Sequence, residues 1–187
     1  IVRKGQQVLL RGGYGLANLE LAVPLQPDSS LRLASLTKQF TALAVLQLVQ
    51  AGKITLQHKV GQVLPDYPAV GRDISIHQLL SHSSGIPNLS RLPEFRDNKA
   101  KDASLPQLLA LFSRQPLQFQ PGSRFSYSNS NYVLLTAIIE QVSQQSYADY
   151  LQQHIFQPLG MKNTGYDSAS ALLPRRASGY EQNATGF

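Results

Sequence analysis

Every strand-like stretch in this 187-residue chain lies before residue 25, and nearly everything after it reads as helix or loop. Ile1-Val2 and Val8-Leu9-Leu10 flank Gly5-Gln6-Gln7, which predicts a β-hairpin, and Gly12-Gly13 then permits a bend or bulge. Tyr14, Leu16 and Leu19 continue an extended run, and Pro24, Pro27, Asp28 and Ser29 read as loop. A two-stranded hairpin alone is only marginally stable in water. The pattern therefore predicts a sheet that is incomplete within these residues, followed by a helical region. The opening Ile1-Val2-Arg3-Lys4-Gly5 reads as entry part-way along a strand and not as a signal peptide, so any targeting segment is expected to be lost or removed.

The helical middle is marked by periodicity and by local punctuation. Phe40, Leu43, Ala44, Leu46, Leu48 and Val49 give Leu36 to Ala51 a broad apolar face, and Gly52 is its stop. Val60 to Leu64 predicts a short turn of structure. Ser75 is placed to cap a helix over Ile76 to Ser81, and a helical turn is expected near Glu94. Ser104, with Pro106 in the first turn, starts another helix with Leu105, Leu108, Leu109 and Phe112 on one side. Asn131 to Val142 and Tyr147 to Phe156 read as two further amphipathic helices, ended by Pro158-Leu159-Gly160-Met161. After Gly165 the pattern fades into an irregular tail. The expected organisation is N-terminal strands over 1–34, a mainly helical region over 35–164, and the tail over 165–187.

Composition removes several classes of function. A content of 42% hydrophobic and 15% charged residues fits a folded chain and not a disordered one. No apolar run approaches the roughly 18 to 20 residues that a membrane-spanning helix needs. The net charge of +6 comes from scattered basic residues, without a basic helix face interleaved with aromatics, so nucleic acid is not an expected partner. Absence of cysteine excludes disulfides, thiolate chemistry and cysteine-ligated zinc. His58, His77 and His154 are dispersed and show no metal-ligand spacing.

Two short clusters carry possible chemistry. Ser35-Leu36-Thr37-Lys38 is a Ser-x-x-Lys tetrapeptide at a helix start, and three positions is nearly one turn, so both side chains share a face. A serine hydroxyl becomes a useful nucleophile only when a neighbour takes its proton, and the positive end of a helix favours negative charge developing nearby. The ordinary alternative is that Ser35 caps the helix and Lys38 is solvated, although the dipole disfavours lysine in a first turn. In the second cluster, Phe125 to Tyr132, Tyr127 and Asn129 stand two apart, so an extended or looped backbone projects them to one side. A tyrosine beside an ammonium ionises more readily and can act as a base. An asparagine amide can donate to a carbonyl while accepting from a lysine. The alternative for this cluster is a Ser/Asn-rich loop capping the next helix. His82 reads as structural, bonding turn backbone after a short helix.

Five stretches taken together resemble the serine β-lactamase and penicillin-binding-protein superfamily, in the branch of class C β-lactamases, D-alanyl-D-alanine carboxypeptidases and related esterases. They are Gly13 to Asn18, Leu31 to Ala42 around the Ser-x-x-Lys, Leu79 to Pro87, Pro121 to Asn129, and Pro158 to Met161, in the family's order. The resemblance implies an α+β fold of the β-lactamase/transpeptidase type: an all-helical region beside an antiparallel sheet whose strands come from both chain ends. It implies Ser35 as the acyl-forming serine, Lys38 as its activating partner, Tyr127 as general base and later proton donor, and Asn129 as a substrate-binding residue. It implies a small-molecule or peptide substrate (a β-lactam, a D-alanyl peptide or a small ester), no cofactor, no metal, and a periplasmic or secreted setting. The family's third motif, Lys-Thr-Gly or His-x-Gly on a late strand, has no match in these residues, so this chain alone is expected to be inactive or impaired. A non-catalytic binding or scaffold protein on the same fold is the alternative.

Overall fold

A computed structural model describes residues 1–98, 102–168 and 171–180. The part of the expected tail at 169–170 and beyond 180 lies outside these. The chain divides into two compact units, Ile1–Ala34 with Asp167–Phe187, and Ser35–Tyr166.

The first unit holds the strands. β1 (Val2–Lys4) pairs antiparallel with β2 (Gln7–Leu10), and the turn between them passes through Gly5 at φ +57°, a left-handed conformation that glycine adopts without a Cβ clash. Both strands are solvent-exposed along their whole length. β3 (Leu16–Asn18) pairs antiparallel with β4 (Val23–Pro24), so the second pairing ends inside the stretch expected to be loop. The proline sits at the end of this strand, where no further ladder donor is required. Among the described residues each sheet has two strands, in keeping with the incomplete sheet expected. Among the described residues of this unit, Asp167 and residues 175–177, which lack periodicity, are nonetheless tied to the N-terminal segment. Ser30 N–H donates to Arg175 C=O and Ala177 N–H to Ser30 C=O, each at 2.9 Å, and Asp167 accepts from Arg32 at 2.6 Å and Arg176 at 2.8 Å.

The second unit is helical. α1 (Thr37–Gln50) follows a 3-10 turn at Ala34–Leu36. Its C-terminus closes as the glycine signal requires: Gly52, at φ +68°, donates to Val49 C=O and Lys53 N–H reaches Leu48 C=O, both at 3.0 Å. α2 (Val60–Val63) is the short turn expected there. α3 (Ile76–Leu80) begins with a reciprocal cap, in which Ser75 Oγ accepts from Gln78 N–H and Gln78 Oε1 accepts from Ser75 N–H. α4 (Pro93–Asn98) includes the turn near Glu94, and α5 (Leu105–Ala110) repeats the reciprocal cap with Ser104 and Gln107. α6 (Asn129–Ser143) starts two residues before the expected Asn131. α7 (Tyr147–Leu151) passes into a wider π-type turn over Gln152–Phe156, where one continuous helix was expected.

The core of this unit forms where α1 meets α6 and α7. Val45 and Leu48 of α1, Leu135, Ile138 and Ile139 of α6, and Ile155 beyond α7 are buried, and the apolar side of α3 joins them through Ile76 and Leu79. Removing such side chains from water is the main stabilising contribution, roughly 1.5–3 kcal/mol for each large aliphatic one. Among the described residues, no helix is long and apolar enough to cross a membrane.

The early start of α6 has a long-range cause. Its N-cap residue, Ser128, makes no side-chain cap, but the N–H of Asn129 donates to Asn88 Oδ1 at 3.1 Å. A free helix-terminal donor is thereby satisfied from a loop 41 positions away in sequence.

Candidate active site

The two sequence clusters meet within the helical unit. Ser35 lies in the 3-10 turn and is exposed; Leu36, not Ser35, occupies the N-cap position of α1, and no side-chain capping bond is present. The Ser35 hydroxyl instead lies 2.7 Å from the Tyr127 hydroxyl, where either can donate. Lys38 is half-buried in the first turn of α1, and its ammonium donates to Ser35 Oγ at 3.4 Å and to Asn129 Oδ1 at 2.7 Å. It also sits 4.8 Å from the centre of the Tyr127 ring and 5.4 Å from that of Tyr132. All four residues singled out in the sequence therefore share one cluster.

The backbone that brings them together differs from the expected one. Tyr127 precedes α6, whereas Asn129 is its first residue, so the pair does not lie on one extended segment. Lys38 bridges the two because α1 and α6 pack against each other.

The electrostatics follow from this geometry. Burial pushes the Tyr127 phenol up, but hydrogen bonding with Lys38 and Ser35, and the Lys38 charge, outweigh it and leave the phenol below its ordinary range. For Tyr132, burial and then the neighbouring Tyr127 push the phenol up.

Several supporting groups carry no functional signal of their own in the sequence. The second end of the Asn129 amide is held by donation from Nδ2 to Ser90 Oγ at 2.7 Å, which fixes which end of the amide faces Lys38. Asn88 accepts from the N–H of both Ser90 and Asn129. Ser130 Oγ accepts from Leu89 N–H at 2.9 Å and donates to Pro87 C=O at 2.6 Å. The local signal was Asn88 two residues before Ser90, a pattern in which an asparagine side chain closes a turn on its own backbone. Its second contact, with Asn129, left no local trace. His82 is buried, with φ at +54°, and its Nδ1 accepts from the N–H of Ser128 at 3.2 Å. Among the described residues no group of three or more His, Asp or Glu is placed to hold a metal ion.

The β-lactamase family model matches residues 1–187. The chain belongs to the β-lactamase family. This is a serine hydrolase family, and the chain's fold is its α+β, transpeptidase-like one. The chain is 35% identical over 185 residues to Protein flp of Staphylococcus aureus (strain MW2), a match covering 97% of this chain and 37% of that protein. Among solved structures, the penicillin binding protein from Bacillus halodurans superposes with a TM-score of 0.87 at 31% identity, covering 99% of this chain and 58% of its own. The D-amino acid amidase from Ochrobactrum anthropi SV3 gives 0.78 at 31% identity, over 92% of this chain and 49% of that one.

Proposed function

We propose that this β-lactamase-family chain carries the acyl-transfer centre of a serine hydrolase. The observation that supports it is the 2.7 Å approach of the Tyr127 phenol to the Ser35 hydroxyl, with the Lys38 ammonium bonded to Ser35 and Asn129. Ser35 Oγ attacks a substrate carbonyl while its proton passes to Tyr127, whose ionised form is stabilised by Lys38. The N–H of Ser35, near the positive end of α1, supplies one donor to the oxyanion. Tyr127 returns the proton to the leaving group; it then takes a proton from water, whose oxygen attacks the acyl carbon, and gives that proton to Ser35 Oγ as the ester bond breaks and the acid leaves. Asn129 keeps Lys38 in place through Oδ1, and its Nδ2, with one N–H given to Ser90, has a second for a substrate carbonyl.

The substrate is a β-lactam, a D-alanyl peptide or a small ester. The names of the penicillin-binding and D-amino acid amidase neighbours favour a carbonyl compound of the first two kinds. The setting is periplasmic or secreted.

The test is covalent labelling. A fluorescent penicillin and a fluorophosphonate are incubated with the chain and its Ser35→Ala variant, and intact mass is followed by peptide mapping. The expected outcome is one adduct on Ser35 that the variant lacks. Reversible binding of the probes with no adduct at any concentration favours a non-catalytic binding protein on the same fold and ends the hydrolase reading.

A further inference from the structure

We propose that His82 is a positioning residue for the Tyr127 phenol, a neutral imidazole that ties down the backbone on both sides of it. The inference rests on the acyl-transfer reading and deepens it.

Three contacts converge on residue 127 from this one side chain and its own backbone. The N–H of Ser126 donates to His82 C=O at 2.8 Å, and the N–H of Ser128 donates to His82 Nδ1 at 3.2 Å. Between these anchors, the imidazole lies against the Tyr127 ring with centroids 4.5 Å apart and planes inclined by 32°. Tyr127 is 40% exposed, so packing from the solvent side does little to hold it; His82 is 8% exposed and forms its inner wall. The other faces of the imidazole are occupied by Tyr132, at 5.1 Å, and by the edge of Phe125, at 6.0 Å.

The tautomer follows from the bonding. A backbone N–H can only donate, so Nδ1 must offer a lone pair, and the ring proton belongs on Nε2. Protonating Nδ1 would put two donors face to face and break the Ser128 anchor. The Asn131 amide, 3.4 Å from Nδ1, joins the same acceptor and is itself oriented by Ser84, whose hydroxyl donates to Asn131 Oδ1 at 2.6 Å. The titratable and charged groups facing the ring are the Lys38 ammonium from α1, the Tyr127 phenol, and the Tyr132 phenol from α6. Burial, then the Lys38 charge, push the imidazole below its ordinary range, against a smaller upward pull from the Ser128 backbone. The left-handed backbone of His82 is an uncommon state for a residue with a Cβ, and the strain is held in place by these contacts.

The experiment compares Ser35 labelling by the fluorescent penicillin across pH in the unaltered chain and in His82→Ala, His82→Phe and His82→Asn. His82→Phe keeps a ring against Tyr127 without the acceptor, and His82→Asn keeps an acceptor near the Nδ1 position on a residue that tolerates left-handed backbone. His82→Ala and His82→Phe are expected to slow labelling about 10- to 100-fold with an altered pH profile, and His82→Asn to recover most of the rate. A long-range 1H–15N spectrum of the unaltered chain is expected to show His82 with its proton on Nε2, a reading independent of activity. The proposal is overturned if His82→Phe labels at the unaltered rate and pH profile, if His82→Asn is as slow as His82→Ala, or if the spectrum puts the proton on Nδ1. Should His82→Ala fail to fold, the other two variants and the spectrum still decide. Failure of the acyl-transfer reading shows separately, as absence of Ser35 labelling in the unaltered chain.

Discussion

Replacing Tyr127 by phenylalanine removes one oxygen and leaves the ring against His82. That oxygen lies 2.7 Å from Ser35 Oγ, whereas Lys38 Nζ is 3.4 Å away and acts as a donor to both Ser35 and Asn129. A positioned base contributes about 10²- to 10⁴-fold, which corresponds to about 2.7–5.4 kcal/mol of barrier. Tyr127→Phe should therefore slow Ser35 acylation by that range. The pH dependence has a definite sign. A base works only when deprotonated, and an ordinary phenol is about one part in a thousand ionised at pH 7. Because the Tyr127 phenol lies below its ordinary range, acylation should rise with pH along a limb that levels off below pH 10, and Tyr127→Phe should lose that limb. The assay is stopped-flow or quenched labelling with a fluorescent penicillin between pH 5 and 10, with the thermal midpoint as a folding control. Since the hydroxyl is at a partly exposed site, the midpoint should move by less than about 1 kcal/mol equivalent. Acylation by Tyr127→Phe at an unchanged rate, with the same pH limb, would show that the short contact with Ser35 carries no proton.

Lys38→Met should move the same limb to higher pH, because the hydrogen bonding and charge that hold the phenol down are removed; the pH-labelling curve measures it. Ile138→Ala, at a fully buried α6 position in the helical core, should lower unfolding free energy by about 2–5 kcal/mol in a urea titration. Ser75→Ala removes the acceptor for Gln78 N–H at the start of α3 and should lower it by about 0.5–2 kcal/mol, with little change in Ser35 labelling rate.

What could be read in the sequence was what is encoded within about one helical turn. The Ser75–Gln78 and Ser104–Gln107 caps, the Gly52 stop and the spacing of Ser35 to Lys38 are local relations, set by backbone geometry and by donors and acceptors three or four residues apart. The motif order from Gly13 to Met161 carried the family, and with it the expectation that Tyr127 and Asn129 belong with Ser35. The packing of α1 on α6 decided what local relations could not. It brings Tyr127 to Ser35 across 92 positions of sequence and Asn129 to Lys38 across 91. The segment after α3, packed against α6 and the residues before it, starts α6 at Asn129 by lending it the Asn88 acceptor and makes His82 the wall behind the phenol. Hydrogen bonds and ring contacts between distant segments depend on positions that only the folded core fixes, so no window of neighbouring residues could have specified them.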